Sequence, residues 1–378
     1  MVHGKNNPLC TGCMLCKTLC PTHSISMETS GDGFIYPKVD LSKCVGCDLC
    51  NKKCPVEHKP IERKSHVAYS AIFDEKSVRK NSSSGGVFFA IANAFINSGG
   101  VVYGAAYSMD YREVYHLRAD SRKTLDSLCG SKYVQSNIDS VYDKIRNDLS
   151  NGQKILFVGT PCQIAAIVEF SNYHPLLFTV DLICHGTPSP KAWNVYLNDV
   201  HRNKKIKSVF MRDKTYGWRN FSMCIVYQNG KVYKRSLAHD LYLRGFLENV
   251  FLRKSCYQCA FKSTDRLGDI TLADYWGMLG KDDGGTSLVA VNTEKGELLF
   301  GMADSRMITN QVNWKEAIAH NTAATQSVEM KAERKLFFSA VCKGESFSKA
   351  VRKCLKKRSL KDRFYYWSRM LFQVCRKK

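Results

Sequence analysis

The chain has 378 residues, 44% hydrophobic and 11% aromatic, enough apolar material for a small module and a larger body and too much for a disordered or fibrous protein. Its net charge of +22 is concentrated late, residues 331–378 carrying 16 Lys and Arg against 3 Asp and Glu. The start, with His3, Gly4, Lys5 and Asn6, has no apolar stretch behind a basic head, and no run is long enough to span a bilayer. Seventeen cysteines without a signal peptide then speak for metal or redox use in a reducing cytoplasm rather than for a disulfide scaffold.

One internal repeat opens the chain. Cys10-Thr-Gly-Cys13-Met-Leu-Cys16-Lys-Thr-Leu-Cys20-Pro21 is answered by Cys44-Val-Gly-Cys47-Asp-Leu-Cys50-Asn-Lys-Lys-Cys54-Pro55. Both fit C-x₂-C-x₂-C-x₃-C-P, the run of bacterial two-cluster ferredoxins, in which the fourth cysteine reaches across to the other cluster. On that pattern Cys10, Cys13, Cys16 and Cys54 hold one [4Fe–4S] cluster, and Cys44, Cys47, Cys50 and Cys20 the other. The alternative is structural zinc, which usually takes paired C-x₂-C knuckles rather than triple runs ending in Cys-Pro. Such a pair conducts electrons but offers no open site for chemistry, so the function is expected downstream.

Residues 56–65 are charged and carry Pro60, which predicts a linker with the main body starting near His66. From there strand-like and helix-like runs alternate, and the expected class is α+β. Val87, Phe88, Ile91 and Phe95 fall on one helical face just after Ser84-Gly85-Gly86. Residues 154–159 and 176–183 read as buried strands ending in loops. Residues 221–228 and 231–235, joined by Asn229-Gly230, read as a hairpin with a two-residue turn.

A set of short motifs follows in order: Ser82-Ser-Ser84-Gly85-Gly86, Cys129-Gly-Ser-Lys132-Tyr133, Phe157-Val-Gly159-Thr-Pro161-Cys162-Gln163, Ile183-Cys184-His185-Gly186, Cys256-Tyr-Gln-Cys259, Ala273-Asp274-Tyr-Trp-Gly277 and Asp283-Gly284-Gly285-Thr286-Ser287. Over roughly residues 1–300 the set resembles the coenzyme F420 hydrogenase/dehydrogenase beta-subunit family, in its form with a fused ferredoxin. The resemblance implies a 2[4Fe–4S] ferredoxin-type domain at 1–60, a larger α/β domain binding flavin and a cluster at 66–305, and a basic helical extension at 306–378. It implies FAD beside a third [4Fe–4S] cluster. Bacterial members of this form are associated with surface-polysaccharide genes, and their substrates are generally unassigned.

Cys162, Cys184, Cys256 and Cys259 supply the four thiolates a cubane requires and match the family's ligands; two buried thiols plus a separate zinc or redox C-x-x-C is the alternative. For FAD, Ser84, Gly85 and Gly86 before an apolar helix offer backbone N–H groups to a pyrophosphate, or are a plain helix start. The resemblance adds Ser131, Lys132, Tyr133 and Asn137, and the loop Gly284, Gly285, Thr286 and Ser287. Lys132 either places positive charge near the flavin or is a solvated lysine. His185 either relays protons or donates a supporting hydrogen bond. These two are the catalytic candidates. Asp274 caps a turn or touches cofactor. Cys129, Cys224, Cys342, Cys354 and Cys375 lack partners at ligand spacing and read as ordinary thiols.

Residues 351–378 interleave lysines and arginines with Phe364, Tyr365, Tyr366, Trp367 and Phe372, the composition of a helix lying at an anionic membrane face; a basic helix packed on the body is the alternative. No nucleic-acid-reading motif accompanies it. The function expected is an oxidoreductase passing electrons from a ferredoxin or reductase partner through clusters to FAD and a small organic substrate. Its rivals are an electron-transfer subunit without a substrate of its own and a membrane-associated iron–sulfur interaction protein.

Overall fold

The computed structural model describes residues 7–64, 67–277 and 283–356. Fourteen strands lie among the described residues. The repeat holds a hairpin, β1 (Ile25–Thr29) and β2 (Ile35–Val39). The body contributes β3 (Val67–Phe73), β4 (Val101–Tyr107), β5 (Val114–Ala119), β6 (Ser136–Asn137), β7 (Ile155–Gly159) and β8 (Leu177–Leu182). After these come β9 (Ile206–Asp213), β10 (Ser222–Tyr227), β11 (Val232–Ser236), β12 (Ile270–Asp274), β13 (Ser287–Val291) and β14 (Met307–Val312). The class is α+β, as its sequence pattern predicts.

Nine strands form one mixed sheet in the order β14-β3-β13-β12-β8-β7-β4-β5-β6, and β11-β10-β9 form a separate antiparallel sheet. At the centre β12, β8, β7 and β4 run parallel. Parallel strands need cover on both faces, so their sequences read as near-continuous apolar runs. All five residues of β7 are buried, and they alternate between two cores: Leu156 and Val158 face the helix Val87–Asn97, while Ile155 and Phe157 face the helix Pro161–Ser171. That second helix starts on Pro161, whose missing N–H costs nothing there, and Gln163 reaches back to the Thr160 N–H at 3.1 Å. A third, aromatic core around Trp193, Tyr196, Tyr242, Phe251, Phe337 and Phe347 lies beside the small sheet.

Three expectations change in detail. On the helix Val87–Asn97, Phe89 is deeply buried and Phe88 only half-buried, because a further helix, Glu294–Asp304, packs beside the sheet and widens the apolar face. The β10–β11 hairpin closes through three residues, Gln228, Asn229 and Gly230: Val226 pairs with Val232, Gly230 N–H donates to the Tyr227 carbonyl, and Gly230 takes φ +81°, the three-residue pattern of a turn followed by a left-handed glycine. The segment at 306–378, expected to be helical, begins with β14, which pairs with β3 at the sheet edge. Beyond it, the helices Ala332–Cys342 and Phe347–Cys354 bury Phe337, Phe347, Val351 and Cys354 in the aromatic core. The expected interfacial helix from residue 357 onward, Cys375 included, lies outside the described residues. Among the described residues no helix is long and apolar enough to cross a membrane.

Candidate metal and cofactor centre

The two cysteine loops repeat in backbone as well as in sequence. Gly12 and Gly46 take φ +70° and +69°, and Met14 and Asp48 take +63° and +59° before the short helices Leu15–Leu19 and Leu49–Lys52. The positive φ turns the chain sharply enough to aim successive cysteines inward, which glycine tolerates without strain.

Cys10, Cys13, Cys16 and Cys54 line one cavity with Gly12, Met14 and Pro55, so the fourth cysteine of the second run joins the first loop. Burial and the neighbouring thiols push the Cys13 thiol up to about 12 and raise Cys54 and Cys16 in the same direction. Thiolates crowded out of water repel one another, and a cationic centre beside Cys13, Cys16 and Cys54 would favour their ionised form. Cys44, Cys47 and Cys50 occupy the outer loop, where Leu41, Val45 and Cys47 are exposed. Cys20 accepts from the Ser24 N–H at 3.3 Å and lies 3.2 Å from its hydroxyl; burial opposes ionisation there, but the Ser24 and Thr22 hydrogen bonds outweigh it and bring the thiol to about 7.

The other four thiols meet as well. Cys162 enters from the start of the helix after β7 and Cys184 from the loop after β8, at the carboxyl ends of adjacent parallel strands, where open α/β sheets place their ligands. Cys256 and Cys259 come from the 3₁₀ turn Lys254–Gln258 and its cap. All four line one cavity, which Thr11 of the first cysteine loop also borders. Burial and the other three thiols raise Cys162 well above its usual range, and burial takes Cys184 to about 12 against the pull of Lys262. Polar groups already face the sulfurs: the Thr187 N–H donates to Cys256 at 3.2 Å, and the Thr160 hydroxyl lies 3.2 Å from Cys162. Among the described residues no three His, Cys, Asp or Glu side chains are set to hold a single metal ion; four soft thiols around a cavity suit a cubane, which is wider than one ion. His185, next to Cys184, sits 2.7 Å from the Asn249 amide oxygen and packs edge-on against Phe246.

At the same carboxyl edge the glycine loops come together. Ser84 donates to the Thr286 carbonyl at 2.9 Å, Gly85 N–H to the Ser287 hydroxyl at 3.0 Å, and Ser131 contacts the Ser83 hydroxyl at 2.8 Å. Lys214 Nζ ties the loops by donating to the carbonyls of Arg79, Ser84 and Gly284. Gly86 starts the helix Val87–Asn97 at φ +94° with no side-chain cap. A Cβ on Gly85 would lie 2.4 Å from the Ala71 carbonyl, so this glycine serves close packing of the loop against β3. Lys132 turns its ammonium to the carbonyls of Leu128, Cys129 and Gly130, and burial lowers it to about 8. Tyr133 stacks on Phe246. Asn137 lies apart, exposed on β6, where its side chain accepts from the Asp139 N–H. Asp274, closing β12, binds Arg212 and the Trp218 indole N–H.

Several participants carried no signal in the sequence. The Arg212 guanidinium, bound by Asp274, lies over the rings of Phe221 and Trp276 at 4.7 and 5.6 Å, and Trp218 stacks on Trp276 at 4.6 Å. Arg253, between the two inner cysteine groups, is 1% exposed. Arg212, Trp218 and Arg253 sit at no recognisable spacing, whereas Trp276 belongs to the motif at 273–277. A separate cavity of about 440 Å³ opens at the opposite edge of the sheet near Arg63, Asp269 and Lys295, with no cysteine among the described residues in its lining, and its Arg63 is already paired with Asp269.

Residues 152–315 match the family described as coenzyme F420 hydrogenase/dehydrogenase, C terminus of the beta subunit, and residues 9–58 match the 4Fe-4S dicluster domain. No curated protein matches the chain. Among solved structures, a chain from "Xenon derivatization of the F420-reducing [NiFe] hydrogenase complex from Methanosarcina barkeri" is similar at 19% identity, with 70% of this chain and 92% of that chain covered and a TM-score of 0.49.

Proposed function

Because the chain joins a 4Fe-4S dicluster domain to a domain of the coenzyme F420 hydrogenase/dehydrogenase beta-subunit family, we propose that it is an iron–sulfur flavoprotein oxidoreductase that carries electrons from a ferredoxin-type donor to FAD and an organic substrate. The observation that carries the reading is the meeting of Cys162, Cys184, Cys256 and Cys259 in one cavity bordered by Thr11. That shared border supports reading the four thiols as a third set next to the first ferredoxin loop.

In this reading Cys10, Cys13, Cys16 and Cys54 hold one cluster, Cys20, Cys44, Cys47 and Cys50 a second, and the four thiols at the sheet edge a third. Residues 84–86, 131–133 and 284–287 would hold FAD, and the helix start at Gly86 would offer backbone N–H groups to its phosphates. When bound, the clusters supply single electrons and the flavin supplies them singly or in pairs. The chain's residues do the rest. The Thr160 hydroxyl and the Thr187 N–H fix the thiolates and stabilise their charge. Arg212, held by Asp274 and close to the Tyr133 side chain, supplies positive charge for an anionic group there. Trp276, exposed and stacked on the buried Trp218, offers apolar ring surface beside it. His185, its pKa lowered by burial, orients on Asn249 next to Cys184. As a relative of a hydrogenase subunit type, the chain is proposed to work with a redox partner protein.

The test is the iron, acid-labile sulfide and flavin content of the anaerobically reconstituted chain. About twelve irons with matching sulfide and one flavin support the reading. About eight irons without flavin reduce the protein to a two-cluster carrier and overturn the enzyme reading.

A further inference from the structure

Among the described residues, the buried Arg266 and Arg334 and the nearly buried Arg212 are neutralised by carboxylates: Asp181, Asp32 and Asp274 respectively. Arg253 is the exception. It is 1% exposed, and no carboxylate among the described residues pairs with it. Its Nε donates to the Cys10 carbonyl at 2.7 Å, Nη1 to the Gln135 side chain at 3.0 Å and Nη2 to the Ile35 carbonyl at 2.8 Å. Nη2 also lies 3.8 Å from the Cys10 sulfur. The guanidinium sits over the rings of Phe34 and Tyr36 at 5.3 and 4.4 Å. A Cβ on Gly12 would lie 2.7 Å from it, so the cysteine loop is shaped around this cation.

Burying a charge without a counter-ion is costly, and carbonyls and ring faces offset only part of that cost. A cluster held by four thiolates carries the missing negative charge. Arg253 also reaches the third thiol set through its own backbone: its N–H donates to the Thr187 carbonyl and its carbonyl accepts from the Cys256 N–H. We propose that Arg253 is the charge-compensating and positioning residue between the Cys10 group and the Cys256 group, favouring the reduced state of the cluster held by Cys10 and so making it the exit of the ferredoxin pair. This rests on the electron-transfer reading above. The step is one electron leaving the cluster of Cys20, Cys44, Cys47 and Cys50 and reducing that of Cys10; no bond forms or breaks. The exposed outer loop with Cys47 is then the entry.

The experiment is a potentiometric titration of the full-length reconstituted chain followed by EPR, comparing wild type with Arg253→Gln and Arg253→Lys and assigning the outer cluster through Cys47→Ser. In Arg253→Gln, reduction of the Cys10 cluster becomes about tenfold less favourable, about 59 mV for one electron, while the outer cluster does not move. A purely structural role would move neither, or both alike, and either result at unchanged iron content overturns the proposal. If Arg253→Gln fails to hold iron, Arg253→Lys decides, since it keeps the charge but not the three-way fork: a loss of about threefold or less at the Cys10 cluster with the outer cluster unmoved supports the proposal, and a loss of about tenfold, or equal shifts of both clusters, overturns it. Iron counts on the same samples separate this from the parent reading. About eight irons with the shift present removes the third cluster and leaves Arg253 acting at Cys10; about twelve with no shift does the reverse.

Discussion

Asp181 is completely buried and closes on Arg266, which is 2% exposed, while accepting from the Thr271 hydroxyl. Removing one partner of such a pair strands the other charge, so Asp181→Asn is expected to cost about 3–5 kcal/mol, read as a lower urea midpoint at unchanged slope. His116 behaves differently because it is buried neutral. It stacks on Phe157, its Nε2–H donates to the Val158 carbonyl at 3.0 Å, and burial lowers its pKa to about 4, the Val158 bond opposing and Lys132 adding to the shift. The unfolded histidine titrates near the usual value of about 6.5. Between the two values the unfolded chain takes the proton and the native chain does not, so stability is lost as pH falls from about 6.5 to about 4, on the order of 1 kcal/mol per unit. Urea midpoints at pH 7 and pH 5 should diverge for wild type and less so for His116→Gln. At the thiols, Cys259→Ser is expected to remove about four irons per chain and leave the ferredoxin clusters reducible; unchanged iron would place Cys259 outside any cluster.

At the scale of elements, the parallel strands β7 and β8 do two jobs. Their apolar runs hold the centre of the sheet, and their carboxyl ends release Cys162 and Cys184 into adjacent loops. The glycine loops are held to the same edge by β3 and β13, which pair Ala71 with Ser287. Gly85 has no room for a side chain there, and Gly85→Ala is expected to overpack the junction by about 1–3 kcal/mol. Thermal unfolding measures that cost, and flavin retained per chain in the same variant reports whether the Ser84–Gly86 loop holds the cofactor.

In the whole molecule the ferredoxin module is built into the body rather than tethered to it. Met14 and Leu15 enter one body core, and Phe34 and Tyr36 another. The β1–β2 hairpin tip docks through Arg334 on Asp32, Lys191 on the Gly31 carbonyl at 2.9 Å, and a contact so close that a Cβ on Gly33 would lie 2.3 Å from Lys191 Cβ. Asp32→Ala leaves Arg334 nearly buried and unpaired. The module should then detach more often, and trypsin should cut within residues 52–64 several-fold faster; an unchanged rate would show that the cores alone hold it.

The sequence by itself determined the cluster module, because a duplicated run of cysteines carries its ligand chemistry in its spacing. Its apolar runs determined β7, β8 and the helix after Gly86, since burial on two faces leaves a local trace. Tertiary structure decided the rest. That Thr11 borders the Cys162 group, that Asn137 stands apart from the glycine loops, and that Lys132 faces carbonyls of its own turn depend on strand order, which no local pattern records. Arg253 shows the reason most clearly: a lysine or arginine three residues before a cysteine reads as one surface charge among 56, and only the meeting of residues 10, 35, 135 and 253 removes it from water and gives its charge a task.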